Sequence, residues 1–365
     1  MELSEIIKKR IHDSGPISFH DFMEMALYYP ELGYYTSSTN KLGINGDYYT
    51  SPYLTNLFGR MLGKQIEEMW FILDKQPFSI IEYGGGNGNL CTDILVSLKN
   101  NPPLYDQLTY YIIEKSPLIK QAAKKLSDKV IIVDSAKDIP ITSGCVLSNE
   151  LIDNFPIHNV VMENELKEVF VTTENGKFIE ILKPAAESLK NYFKKLGIKL
   201  PKGFRTEVNL DIMEWMNEIS SILKRGFVLT VDYGYRSLEL YNITRKEGTL
   251  ICYHKHTTNQ CPYENIGQQD ITAHVNFSAL AQIGQEKGFE NCGYSTQTDF
   301  LLSLGLVNHL KEIETKEKDL SVIESNIAML YTLLMDIGKK FKVLIQKKDI
   351  NVSFLSGMRF SQQLT

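Results

Sequence analysis

The stretch Ile80–Leu90 reads IIEYGGGNGNL, in which two β-branched residues and a glutamate run into four glycines within five positions. Consecutive isoleucines favour a strand. Glycines crowded at its end mark a turn that adopts left-handed backbone or lets another group approach the main chain closely. The run NLCTDILVSL follows and suits a helix, so the turn would also present helix N-terminal amides to a polar ligand. Working outward, the short apolar runs FSIIEY, LTYYIIE, KVIIVD, GCVLSNE and, much later, RGFVLTVDYG alternate with helical segments near 90–99 and 117–126. Short buried strands separated by helices predict an α/β fold, a parallel sheet with helices on both faces.

On the N-terminal side, residues 3–12 and 18–29 read as amphipathic helices broken at Ser14-Gly15-Pro16, and 30–53 as a tyrosine-rich loop. Apolar residues at helical spacing from Leu57 to Leu73 predict a helix leading into the glycine stretch. Between the fourth and fifth strands, HNVVMENELKEVFVTTENGKFIEILK reads as an antiparallel meander, with helices near 184–196 and 208–224. The expected organisation is therefore N-terminal helices and loop over 1–75, a core over 76–156 and 223–300, an insertion over 157–222, and a mostly helical extension over 301–365.

The 365 residues, 43% of them hydrophobic, can bury a sizeable core. A net charge of −5 disfavours a nucleic-acid partner and suits a cationic one. Five cysteines without a CxxC pair fit a reducing compartment. With no signal-like N-terminus and no apolar run long enough for a bilayer, the expectation is a cytoplasmic chain with no membrane partner. Cys252, His254, His256 and Cys261 fit no standard zinc spacing, and no metal is expected there.

The spacing of the glycines separates three kinds of nucleotide loop. A phosphate-binding loop needs Gly-Lys-Ser/Thr, but Asn89-Leu90 follows Gly88; the dinucleotide pattern GxGxxG fails because Asn89 or Cys91 stands at its last glycine. What remains, Glu82-x-Gly84-x-Gly86-x-Gly88, resembles motif I of the seven-stranded S-adenosylmethionine-dependent methyltransferases. Glu114, ending the next strand, can accept hydrogen bonds from both ribose hydroxyls, and Asp134, closing the third, either borders an adenine or sits in a solvated turn. On the same carboxyl edge follows Ser148-Asn-Glu-Leu-Ile-Asp-Asn-Phe-Pro-Ile-His158. Its carboxylates Glu150 and Asp153 can orient a guanidinium and take up its proton, or else cap the helix that starts there.

The stretches ISFHDFMEMALYYPELGYY, GDYYTSPYLTNLFGRMLG, EYGGGNGNL, SNELIDNFPIH, VDYGY and QDITAHVNFSALA together resemble the MidA-like family, the mitochondrial complex I assembly arginine methyltransferases and their bacterial relatives, from Pro16 to about Phe289. The resemblance implies a Rossmann-like seven-stranded methyltransferase fold with an insertion, S-adenosyl-L-methionine as cofactor, and transfer to arginine on a protein partner. It places cofactor contacts at Glu82, Gly84, Gly86, Gly88 and Glu114, and Asn149, Glu150 and Asp153 at the active-site edge. Tyr48 and Tyr49, in the GDYYTSP loop, can stack on a flat guanidinium or simply pack on the first helices. Asp232 in VDYGY either faces the pocket or binds neighbouring backbone; His256, Asp270 and His274 match the family segment and are substrate-pocket candidates. Two other classes stay open: a nicotinamide-type oxidoreductase, which the missing third glycine opposes, and a noncatalytic cofactor-binding assembly factor.

Overall fold

The computed structural model describes residues 2–37, 51–116, 126–308 and 320–364. Its central sheet is built from β1 (Phe78–Tyr83), β2 (Leu108–Ile113), β3 (Val130–Val133), β4 (Thr142–Asn149), β5 (Leu223–Tyr235), β6 (Glu290–Thr296) and β7 (Phe341–Lys348). The order across the sheet is β3-β2-β1-β4-β5-β7-β6. The first five strands are mutually parallel, with Ile81 opposite Tyr111 on one side and Val146 on the other. β7 alone runs against both neighbours, pairing Val231 with Val343 and Tyr294 with Leu344.

β1 is buried along its whole length, as a strand flanked on both edges and covered on both faces must be. Its alternate residues divide between two cores. Phe78 and Ile80 pack under helices Asn56–Ile72 and Asn89–Leu98, whereas Ile81 and Tyr83 join Trp215, Phe277 and Leu280 from helices Ile212–Ile222 and Phe277–Glu286 on the other face. The connections from β1 and β3 leave in opposite directions, so a crevice opens at the carboxyl ends of β1 and β4, where an open parallel sheet takes its ligand.

The insertion is a second, antiparallel sheet. Strands His158–Met162, Leu166–Glu174, Lys177–Pro184 and Arg205–Val208 form it, and the N-terminal pair Ile17–Ser18 joins its edge beside Phe170 and Val171. Helix Phe19–Tyr28, whose Ser18 hydroxyl accepts the Asp21 amide, packs Phe19, Phe22 and Met23 onto this sheet. Its His20 bonds Asp211 at 3.0 Å and stacks on His158 at 4.8 Å, tying the N-terminal segment to the insertion and to the loop before Ile212. A three-stranded sheet of Ile251–His254, Thr257–Asn259 and Asp270–Thr272 flanks it.

The C-terminal extension departs from the helical expectation. Leu320–Tyr331 is a helix, but 341–348 is an interior strand of the central sheet. Lysines crowd both ends of FKVLIQKK and imitate a polar helix face, while Val343, Leu344 and Ile345 are fully buried between β5 and β6.

Candidate active site

The glycine loop ends β1 with Gly84, Gly86 and Gly88 at φ of 76°, 53° and 80°, all left-handed. Side chains there would cost backbone strain, and glycine avoids it. Gly85, which sequence reasoning passed over, is fixed by contact instead: a Cβ on it would lie 2.4 Å from Ile112 Cγ2. The loop therefore rests directly on the Ile112 side chain of β2. Gly88 caps the helix Asn89–Leu98, so its first amides open toward the crevice.

Glu114 bridges loop and strand end. Its Oε2 accepts the Gly86 amide at 3.1 Å and its Oε1 the Ser116 amide at 2.8 Å. A carboxylate has about four lone-pair sites, so one backbone donor on each oxygen leaves capacity for a vicinal diol. Burial raises its pKa, partly offset by those amides. Glu82 lies lower: 2% exposed, on the helix-covered face, it accepts the Tyr110 hydroxyl at 2.8 Å and is pushed up to about 8 by burial. Asp134 follows β3 on the surface, before the short helical turn Ala136–Asp138 that Ser135 caps.

The loop after β4 carries the acidic side of the crevice. Asn149 donates to Glu150 Oε1 at 3.1 Å, and its buried Oδ1 has no partner among the described residues. Glu150 has φ 52°, a left-handed conformation in a non-glycine residue, and strain of this kind, about 1–3 kcal/mol, gathers at functional sites. The Ser51 amide also reaches its Oε1, at 3.4 Å. Burial, with Asp153 and Asp270 close by, pushes Glu150 up to about 8. Asp153, 3% exposed, is pushed up to about 7 by burial despite its contact with the Tyr233 hydroxyl. Neither Glu150 nor Asp153 forms a salt bridge among the described residues. The capping alternative does not describe them, because neither makes a side-chain cap on the short helical turn Ile152–Asn154.

Asp232 is that cap, and of its two expected roles the structure shows the bonds to neighbouring backbone. Fully buried, its Oδ2 accepts the amides of Leu151, Ile152 and Asp153 at 3.2, 2.9 and 3.4 Å, and its Oδ1 accepts the Tyr233 amide. It shapes the acidic loop from behind. His274 is likewise a backing residue: its ring packs 5.3 Å from both Tyr233 and Tyr235, and burial pushes it down to about 4, so it is neutral. His256 sits exposed on the left-handed turn between Ile251–His254 and Thr257–Asn259. Tyr48 and Tyr49 lie outside the described residues.

Sequence reasoning missed the aromatic wall. Tyr28 donates to the Asn154 carbonyl at 3.2 Å and stacks on Tyr35 at 5.5 Å, while the Glu114, Asp153 and Asp270 carboxylates all raise its pKa behind the larger effect of burial. It thus stands between the Glu114 end of the crevice and the acidic loop. The only sequence signal was the density of tyrosine in YYPELGYY.

A strand order of 3-2-1-4-5-7-6, a left-handed glycine loop after the first strand and a carboxylate bonded to that loop after the second are the frame of an S-adenosyl-L-methionine-dependent methyltransferase of the Rossmann-like class. The chain belongs to the Methyltransf_28 family of S-adenosyl-L-methionine-dependent methyltransferases, whose model matches residues 61–295. Among curated proteins it is similar to the mitochondrial protein arginine methyltransferase NDUFAF7 homolog of Caenorhabditis elegans, 26% identical with 93% of this chain and 85% of that protein aligned. The Homo sapiens mitochondrial protein arginine methyltransferase NDUFAF7 is 26% identical, over 91% of this chain and 80% of its own. A crystal structure of a COG1565 superfamily member from Burkholderia thailandensis, bound to S-adenosyl-homocysteine, superposes with a TM-score of 0.89 at 27% identity, covering 99% of this chain and 95% of that one. S-adenosyl-L-methionine is thus the cofactor, and the glycine loop, Glu114 and the orphaned Asn149 Oδ1 are groups that suit it. No helix among the described residues is long and apolar enough to cross a membrane.

Proposed function

We propose that the protein transfers methyl groups to an arginine nitrogen of a protein substrate. The observation that carries this reading is the pair Glu150 and Asp153 on the strand edge beside the cofactor loop: Glu150 held in a left-handed conformation, Asp153 buried with its Oδ1 unbonded, and neither facing a cation among the described residues. Buried carboxyls left unpaired are costly as anions, so a cation entering the crevice stabilises their charged forms. A guanidinium fits that demand with several N–H donors in one plane. The relatives named as protein arginine methyltransferases support the same acceptor.

In this reading Gly84, Gly86 and Gly88 give the cofactor close access to the backbone, Glu114 holds its ribose, Asp134 borders the adenine and Asn149 faces its amino-acid end. The bound sulfonium supplies an electrophilic methyl group that departs as the sulfur becomes a neutral thioether. Glu150 and Asp153 orient the guanidinium so that one nitrogen lone pair faces that methyl, and one of them takes the proton the nitrogen releases. A resting pKa near neutrality suits such a proton acceptor. Asp232 keeps the loop in register through its three amide bonds.

Incubating the protein with labelled S-adenosyl-L-methionine and lysate of its native cells, then mapping the label, tests this directly. Label on an arginine side chain of a protein is expected. Label confined to a small molecule, a lysine or a carboxylate overturns the reading.

A further inference from the structure

Asp270 is a further carboxyl beside the acidic loop and comes from an element remote from it in sequence. It lies on Asp270–Thr272, opposite Tyr253, and is 2% exposed. The Ala273 amide donates to the Asp153 carbonyl at 3.0 Å, which ties this strand to the acidic loop. Tyr35 donates to Asp270 Oδ1 at 2.8 Å, Tyr35 stacks on Tyr28 with the rings 24° apart, and Tyr28 donates to the Asn154 carbonyl at 3.2 Å. These contacts close a ring from Asp153 through Asp270, Tyr35 and Tyr28 back to Asn154.

Resting on the arginine reading, we propose that Asp270 is a specificity-determining residue that holds the edge of the acceptor guanidinium away from Glu150 and Asp153, with Tyr28 and Tyr35 as the wall beside it. Glu150 and Asp153 sit three positions apart on one loop and approach a bound group from one side. A planar guanidinium presents N–H groups along its whole perimeter, so a carboxylate from a second element fixes its rotation in the plane. A lysine ammonium is a compact point charge that cannot span both elements. The Tyr35 hydroxyl sets the orientation of the Asp270 carboxylate, which makes Tyr35 a positioning residue. Both Glu150 and Tyr28 register the charge of Asp270, as a shared pocket requires.

The test uses the full chain, labelled S-adenosyl-L-methionine, and two peptide libraries with random flanks, one centred on arginine and one on lysine. Asp270→Asn should raise the half-saturating concentration of the arginine library by about tenfold or more, the loss of one charge-assisted contact, while kcat stays within about threefold. Tyr35→Phe, which keeps the carboxylate, should raise it by a smaller factor. Calorimetry with S-adenosyl-homocysteine shows that each variant is folded, since Asp270 is assigned no cofactor contact. Parent transfer to arginine with an unchanged half-saturation point in folded Asp270→Asn overturns this inference alone. Absence of transfer to the arginine library by the parent, or equal transfer to the lysine library, overturns it together with the arginine reading.

Discussion

Replacing Glu150 with glutamine should stabilise the ligand-free protein, and only at neutral and alkaline pH. Burial, with Asp153 and Asp270 nearby, moves this carboxyl from its ordinary 4.5 to about 8. Between those values the unfolded chain has lost a proton that the folded chain keeps. Stability from this group is therefore complete below pH 4.5, falls as the pH rises, and levels off above about pH 8. At about 1.4 kcal/mol per tenfold, the whole displacement caps the penalty at about 5 kcal/mol, and water reaching a side chain that is only partly buried brings it to about 1–3 kcal/mol. Glutamine keeps an oxygen for the Asn149 and Ser51 donors and never ionises. The left-handed backbone is common to both side chains and cancels. Urea unfolding followed by circular dichroism at about pH 5 and about pH 9 reads the difference, expected to be under about 0.5 kcal/mol in acid and about 1–3 kcal/mol in favour of the variant in base. A difference equal at both pH values, or a variant less stable at the higher one, would refute the argument that this carboxyl is held against its charge.

Three further outcomes follow from the geometry. Gly84→Val forces a branched side chain into φ 76° with its Cβ 3.0 Å from Leu151 Cδ1; S-adenosyl-homocysteine affinity should fall by about tenfold or more, and unchanged calorimetric affinity in a folded variant counts against the loop as cofactor cradle. Glu114→Gln should cost about 1.5–3 kcal/mol for each diol bond lost, and should bind the 2′-deoxy analogue about as well as the natural cofactor; a variant indistinguishable from the parent toward both ligands removes the ribose assignment. Asp232→Ala removes the acceptor of three amides and should lower thermal stability by about 2–3 kcal/mol while reducing methyl transfer more than cofactor binding. Wild-type stability in that variant contradicts the capping role.

The parallel half of the sheet was legible because each of its strands is a short apolar run next to its own turn and helix, a pattern contained within a few dozen residues. β7 was not, because its identity depends on partners at Gly226–Tyr233 and Glu290–Thr296 that local periodicity does not register. The same division runs through the site. Gly84, Gly86, Gly88 and Glu114 announce themselves by position at strand ends. Asp232 also closes a strand, but which way a carboxylate turns is decided by the donors in reach, and here those are the amides of Leu151, Ile152 and Asp153. Tyr28, Tyr35 and Asp270 enter the crevice from elements more than a hundred residues from the acidic loop, and no spacing rule connects them.

The placement of β7 bears on how the protein is made. Residues 341–348 leave the ribosome after every other strand of the central sheet, yet they fill the gap between strands that end at Tyr235 and begin at Glu290. Throughout synthesis β5 carries an open edge over Gly226–Tyr233, with Phe227, Leu229 and Val231 ready to pair with another chain. The earlier insertion sheet, by contrast, has all its strands by Val208, well before Phe341 is made. A nascent chain stalled or cut before Phe341 would thus hold a finished insertion and N-terminal region beside a central sheet that stops at β5, with β5 and β6 unmatched, a species suited to aggregation and to recognition by chaperones rather than to slow completion. Chains truncated before Phe341 should be insoluble instead of giving a weakened enzyme.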